Sequence, residues 1–255
     1  MKSPKAPLVL IHGFLGGPWS FDGVLSRLSS GPDVMCPALS FHGHGAESDS
    51  YDTTFLGEID RIAANVVRRF GGAPVTLLGY SLGGRIALGL AIRHPSAVRR
   101  LILISSRRGL DAAEDRSTRL ARDEAWATLL ERSGWDAFLE AWWAQPVFSS
   151  LQRLPSEALE REAIQRRRGH PSALAMAMRR FSLGNQPDYA TEVQNLAVPT
   201  LLVAGDLDPK FVGLSKELAE LLPKGRVFVI ENAGHHLLLE APAAVARIID
   251  EELER

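Results

Sequence analysis

The sequence predicts an α/β architecture, a mostly parallel sheet with helices on both faces, and two observations carry that reading. Short apolar runs recur along the chain: Leu8 to Ile11, Val34 to Cys36, Val75 to Leu78, Leu101 to Ile104, Thr200 to Ala204 and Val227 to Ile230. Segments of helical periodicity separate them, and continuous rather than alternating apolar strands belong to a sheet covered on both faces. In such a sheet the sites sit at the carboxyl ends of the strands.

The most informative of these junctions is Gly79-Tyr80-Ser81-Leu82-Gly83. The β-rich run Val75-Thr76-Leu77-Leu78 precedes it, and Gly84 to Ala91 continues with helical spacing until His94-Pro95. A serine between small residues at a strand-to-helix step has the context of a nucleophile elbow, with its hydroxyl exposed at a helix N-terminus.

Two strand ends downstream supply the groups that such a serine needs. Thr200 to Gly205 leads into Asp206-Leu207-Asp208-Pro209, and Val227 to Ile230 leads into Asn232-Ala233-Gly234-His235. Asp208, before the proline, is preferred over Asp206, which is read as a cap on the following turn. His235, after Gly234, is preferred over His236. The order Ser81, Asp208, His235, each just past a strand, is that of the α/β-hydrolase fold. An oxyanion hole is expected from the backbone N–H groups of Leu82 and of Phe14, which follows Ile11-His12-Gly13. His12 is read as orienting that first loop. His42-Gly43-His44-Gly45 lacks a third ligand at metal spacing and reads as a glycine-rich loop, so no metal and no cofactor is expected.

Length and charge bound the rest. A chain of 255 residues accommodates one large domain with an insert, expected as core segments 1–105 and 199–255 around a helical lid at 106–198. Thirteen Arg and thirteen acidic residues, with no Lys, lie from Arg107 to Asn195, so the insert is neutral. The formal net charge of the whole chain is -1, which offers no field for nucleic acid or an anionic membrane. The one cysteine, Cys36, excludes an internal disulfide and reads as a small buried apolar side chain. Met1 to Pro7 has the charge of a signal n-region, but the apolar run after it is too short and leads into His12-Gly13 without a cleavage site; no stretch is long enough to span a bilayer, so a cytoplasmic protein is expected.

Further segments match a single family: Gly43-His44-Gly45, Arg85 directly after the elbow glycines, Trp142-Trp143-Ala144-Gln145-Pro146-Val147-Phe148, Gln186-Pro187-Asp188, Asp208-Pro209-Lys210-Phe211 and Ala233-Gly234-His235, of which Arg85, Gln145 to Phe148 and Lys210-Phe211 are not shared with hydrolases generally. With these the chain resembles, over nearly its whole length, the 2-succinyl-6-hydroxy-2,4-cyclohexadiene-1-carboxylate synthases, lyases of menaquinone biosynthesis with an α/β-hydrolase fold. The resemblance implies elimination of pyruvate from a small tricarboxylate substrate, with Ser81 acting as a base activated by His235 and Asp208. It also implies substrate contacts from Arg85, from Arg119 and Arg167 in the lid, and from Trp142 lining the pocket, while Tyr80, beside the serine, either contacts substrate or packs. The register around Arg166-Arg167-Arg168 stays open. The strand exit Ser105-Ser106-Arg107-Arg108-Gly109-Leu110 departs from the family pattern by two positive charges that either recognise substrate or face water. The alternative is a serine esterase or carbon–carbon bond hydrolase using the same three residues.

Overall fold

The computed structural model describes residues 7–42 and 53–255. The Gly43-His44-Gly45 segment, and all of the leader segment but Pro7, lie outside the described residues. Six strands, β1 (Leu8–Ile11), β2 (Val34–Met35), β3 (Val75–Tyr80), β4 (Val98–Ile104), β5 (Thr200–Gly205) and β6 (Gly225–Ile230), form one sheet in the order β2-β1-β3-β4-β5-β6. Every described pairing is parallel.

Successive strand residues point to opposite faces, and the core divides accordingly. Val9, Ile11, Leu77 and Leu202 pack on one face with α2 (Phe55–Phe70), α3 (Leu82–Arg93) and α7 (Pro209–Leu221). Leu8, Leu10, Leu78 and Val203 pack on the other with α1 (Asp22–Leu25), α8 (Leu237–Glu240) and α9 (Pro242–Glu254). Central strands β1, β3 and β5 are buried at every residue, which is why they read as unbroken apolar runs. The last strand differs from its continuous apolar expectation: β6 lies at the sheet edge, its residues alternate in burial, and Phe228 is exposed. Cys36 is also less enclosed than expected. It is half-buried at the margin of the second core, and burial, with Asp22 nearby, pushes its thiol up to about 11.

Between β4 and β5 the described chain forms helices and no strand: α4 (Ala113–Trp143), α5 (Ser156–Arg166) and α6 (Pro171–Arg180), with a 3-10 turn at Pro146–Arg153. Gly134 takes φ 73° inside α4 and breaks it into two rods. These helices have an apolar core of their own, in which Leu130, Phe138, Leu174 and Met178 pack with Leu15 from the loop after β1. Leu15 thereby fastens the helical segment to the sheet's carboxyl edge.

One buried carboxylate ties the chain before residue 43 to α2. Glu58 is fully buried and accepts from Ser40 N–H at 2.9 Å, Ser40 Oγ at 2.7 Å and the Arg61 guanidinium at 2.6 and 2.8 Å. Replacing Glu58 with Ala leaves the Ser40 N–H buried without its acceptor, so urea unfolding is expected to show a loss of about 2–3 kcal/mol.

Candidate active site

The elbow is built from close backbone approach. Ser81 joins β3 to α3 with φ 52° and ψ -109°, a conformation strained for any side-chain-bearing residue. Its neighbours must be glycine. A Cβ on Gly79 would lie 2.3 Å from Gly83 O, and one on Gly83 would lie 2.1 Å from Ile11 O and 2.4 Å from His12 O. The turn lifts the Ser81 hydroxyl above the sheet, at the start of a helix whose first N–H groups have no intrahelical acceptor.

The partners arrive from the ends of β5 and β6. Ser81 Oγ lies 3.3 Å from His235 Nε2, and His235 Nδ1 lies 2.8 Å from Asp208 Oδ2. The carboxylate fixes the tautomer with its proton on Nδ1, leaving Nε2 to accept from the serine. Asp208 and His235 are both buried. The carboxylate also caps α7 by accepting from Phe211 N–H at 3.3 Å. Asp206, expected to cap the following turn, instead accepts from Ala233 N–H at 3.3 Å and ties the two loops together. Glu240 holds the other side of the histidine loop, accepting from Gly234 N–H at 2.8 Å and His236 N–H at 2.9 Å.

His12 is a bracket rather than a base. Its Nδ1 donates to Gly13 O at 2.8 Å, and its Nε2 accepts from Leu39 N–H at 3.1 Å. Complete burial, with His42 beside it, holds the imidazole neutral down to about pH 3. The loop carrying Phe14 is thereby fixed against the chain at Leu39, and Phe14 and Leu82 both line the Ser81 cavity.

That cavity, about 200 Å³, lies between the sheet edge and the helices after β4. Its apolar wall includes Phe14, Trp126, Trp142, Phe148 and Phe211. The Trp142 ring sits 5.4 Å from Phe14 and 5.1 Å from Trp126, and Phe211 meets His235 edge-on at 4.6 Å. Its polar wall is cationic: Arg85, Arg107, Arg119, Arg122 and Lys210 line it, and Asp123 is the single carboxylate among the described lining residues. Arg85 is buried and donates to two neutral acceptors, Phe181 O at 2.8 Å and Gln186 Oε1 at 3.1 Å. Burial, then the nearby Arg119, brings its guanidinium down to about 9. Burial and the surrounding arginines likewise lower Lys210. Among the described residues Arg119 alone of the five bonds to a carboxylate, its Nε meeting both oxygens of Asp123 at 2.8 Å.

Of the residues expected at the site, Ser81, Leu82, His235, Phe14, Arg85, Arg119 and Trp142 border this one cavity, with Asp208 behind His235. Two are not brought to it. Arg167 pairs with the exposed Asp136 at 2.6 Å on the surface of the helical segment. Its neighbour Arg166 is the buried one, 3.1 Å from both Glu162 Oε2 and His236 Nε2, but it too stands apart from the cavity. Tyr80 packs behind the histidine loop, its ring stacked on His236 at 5.3 Å and filling the space a Gly13 side chain would need. Strand alternation sends Tyr80 to the face opposite Gly79, whereas substrate contact needed it to point with Ser81. Arg122 and Trp126 were missed, and a signal existed: 119, 122 and 126 follow one another at helical spacing on one face.

A parallel sheet of this order, with a serine elbow after its central strand and a histidine loop after its last, defines an α/β hydrolase. Residues 6–242 match the alpha/beta hydrolase fold family. The chain is 33% identical to the 2-succinyl-6-hydroxy-2,4-cyclohexadiene-1-carboxylate synthases of Enterobacter sp. (strain 638) and Serratia proteamaculans (strain 568). The matches span 94% of this chain and 88% and 89% of those proteins. Its fold superposes on the structure of MenH from S. aureus with a TM-score of 0.91 at 28% identity, over 99% of this chain and 96% of that one. The chain belongs to the alpha/beta hydrolase fold family and, within it, to the family of these synthases. Among the described residues no helix is long and apolar enough to cross a membrane, and no group of three metal-ligating side chains assembles.

The depressed His12 imidazole sets a pH dependence of stability. Unfolded, the group takes up its proton near pH 6.5; folded, it resists to about 3. Its contribution is therefore whole above pH 6.5 and is lost as pH falls from there toward 3, by about 3–5 kcal/mol in all. Urea unfolding of a His12→Gln variant between pH 7 and 4 should show a correspondingly shallower decline than the parent.

Proposed function

We propose that the protein is a lyase of menaquinone biosynthesis. It eliminates pyruvate from 2-succinyl-5-enolpyruvyl-6-hydroxy-3-cyclohexene-1-carboxylate to give 2-succinyl-6-hydroxy-2,4-cyclohexadiene-1-carboxylate. The observation that carries this reading is the cavity's charge: five cations against one carboxylate among the described residues lining it beside Ser81, in a chain whose formal net charge is -1. A neutral ester needs no such field, whereas a substrate with three carboxylates does. The homologous synthases, named for a succinyl cyclohexadiene carboxylate, support the choice of a substrate with several carboxylates.

The chemistry follows from the hydrogen-bonded chain. His235 draws the proton from Ser81 Oγ, and Asp208 stabilises the imidazolium that results. The serine oxygen removes the proton α to the succinyl ketone, and the ketone oxygen becomes the oxyanion of a dienolate. The backbone N–H groups of Leu82 and Phe14 receive this charge, each worth roughly 3 kcal/mol in such sites. Electrons then return through the conjugated ring and break the carbon–oxygen bond to the enolpyruvyl group. The departing enolpyruvate takes up the proton held by the His235 imidazolium and leaves as pyruvate, which restores Ser81 and His235 and consumes no water. Arg85 and Arg119 hold carboxylates of the bound substrate, Trp142 packs on the ring, and the helices between β4 and β5 cap the site against water.

Pyruvate release by the purified protein, followed with diene absorbance, tests the reading. Ser81→Ala is expected to lower kcat by at least about 1000-fold. Rapid acylation with a burst on activated esters, without pyruvate release, would instead assign the site to an esterase. Arg85→Met should raise KM by about 10- to 100-fold through loss of a charge-assisted contact.

A further inference from the structure

The strand exit after β4 carries two adjacent arginines, and the fold assigns them opposite surroundings. Arg108 is committed to the protein: its guanidinium pairs with Asp188, and its carbonyl accepts from Gln186 Nε2 at 2.7 Å and Tyr189 N–H at 3.3 Å. Gly109 makes this clasp possible. It takes φ 147°, and a Cβ there would lie 2.7 Å from Asp188 Cα and Pro187 O.

Arg107 faces the other way and lines the Ser81 cavity. Its backbone is anchored to the reacting centre by the two residues before it. Ser105 Oγ donates to His235 O at 3.0 Å, and Ser106 Oγ donates to Ser81 O at 3.3 Å. The side chain is aimed as well, because Nε donates to Gly109 O at 3.0 Å and so fixes the plane of the guanidinium. Both Nη groups are left without a hydrogen-bond partner among the described residues. Burial and the like charges of Arg119 and Arg108 lower this guanidinium, so the protein itself leaves it under-neutralised.

We propose that Arg107 is a specificity-determining residue of this enzyme, its two Nη groups binding a carboxylate of the substrate in addition to the contacts of Arg85 and Arg119. A planar fork with its Nε already fixed matches a carboxylate in bidentate fashion, at lower conformational cost than a mobile side chain. This inference rests on the lyase reading for the substrate's identity, but its chemistry requires only a multiply charged carboxylate.

The test uses two readouts. In the pyruvate-release assay, Arg107→Gln is expected to raise KM about 10- to 100-fold while kcat changes less than about threefold, and Arg107→Lys to recover part of that loss. Calorimetric titration with citrate, a tricarboxylate that undergoes no reaction, is expected to show weaker binding to Arg107→Gln than to the parent. Arg108→Gln, matched in charge, should keep both values within about twofold. Unchanged KM and citrate affinity in Arg107→Gln would overturn the proposal, as would equal losses from the two variants, which would mean net charge acting at a distance. If the parent releases no pyruvate, the lyase reading fails, while citrate binding still decides the role of Arg107.

Discussion

Close backbone approach at the elbow is the constraint on which the rest of the structure depends. Gly79 and Gly83 bring the end of β3, the start of α3 and the exit of β1 within van der Waals contact, so that no side chain fits between them. This compaction holds Ser81 in its strained conformation and keeps its hydroxyl out of the core. It also sets the geometry of the surrounding loops. The first loop is locked through His12 to Leu39, and Ser105 and Ser106 reach the carbonyls of His235 and Ser81. Register between the parallel strands does the remainder, delivering the ends of β1, β3, β4 and β5 to one edge.

Charge at the site arises by sorting, not by excess. The segment from Arg107 to Asn195 is balanced, thirteen arginines against thirteen acids. Folding places many of the pairs on the outer surface, as with Arg179 between Glu124 and Glu131, or Arg167 with Asp136. Arg85, buried, and Arg107, half-buried, by contrast turn toward the cavity and meet neutral acceptors, while the exposed Arg122 bonds Gln145 at its rim. Desolvating guanidinium groups without counter-charges costs stability. A polyanionic ligand would offset that cost on binding, and the proposed substrate, a ring carrying several carboxylates, matches an aromatic wall beside a cationic one.

The strands and the order of serine, acid and histidine were legible because both are local. A buried strand shows as an apolar run, and an elbow shows as small residues around a serine. The preference for Asp208 over Asp206 followed from the adjacent proline, which starts α7 and lets the same carboxylate cap it. Side-chain direction was less accessible. Tyr80 adjoins the serine in the chain yet lies on the opposite face of β3, and Arg167 neighbours the buried Arg166 yet points to solvent. One residue of displacement reverses direction on a strand and turns it by about 100° on a helix.

By itself the sequence determined the α/β class, the six strands, the elbow at Ser81 and its two partners, since periodicity, turn chemistry and strand-end position are written in neighbouring residues. Only the tertiary structure decided which arginines reach the cavity. Selection among thirteen similar side chains depends on helix rotation, on the break at Gly134 and on which acids lie within reach. Those are relations between segments distant in the chain. The same reason explains Arg107 and Arg108: adjacent and chemically identical, they are told apart by Asp188, eighty positions downstream, which claims one and leaves the other facing Ser81.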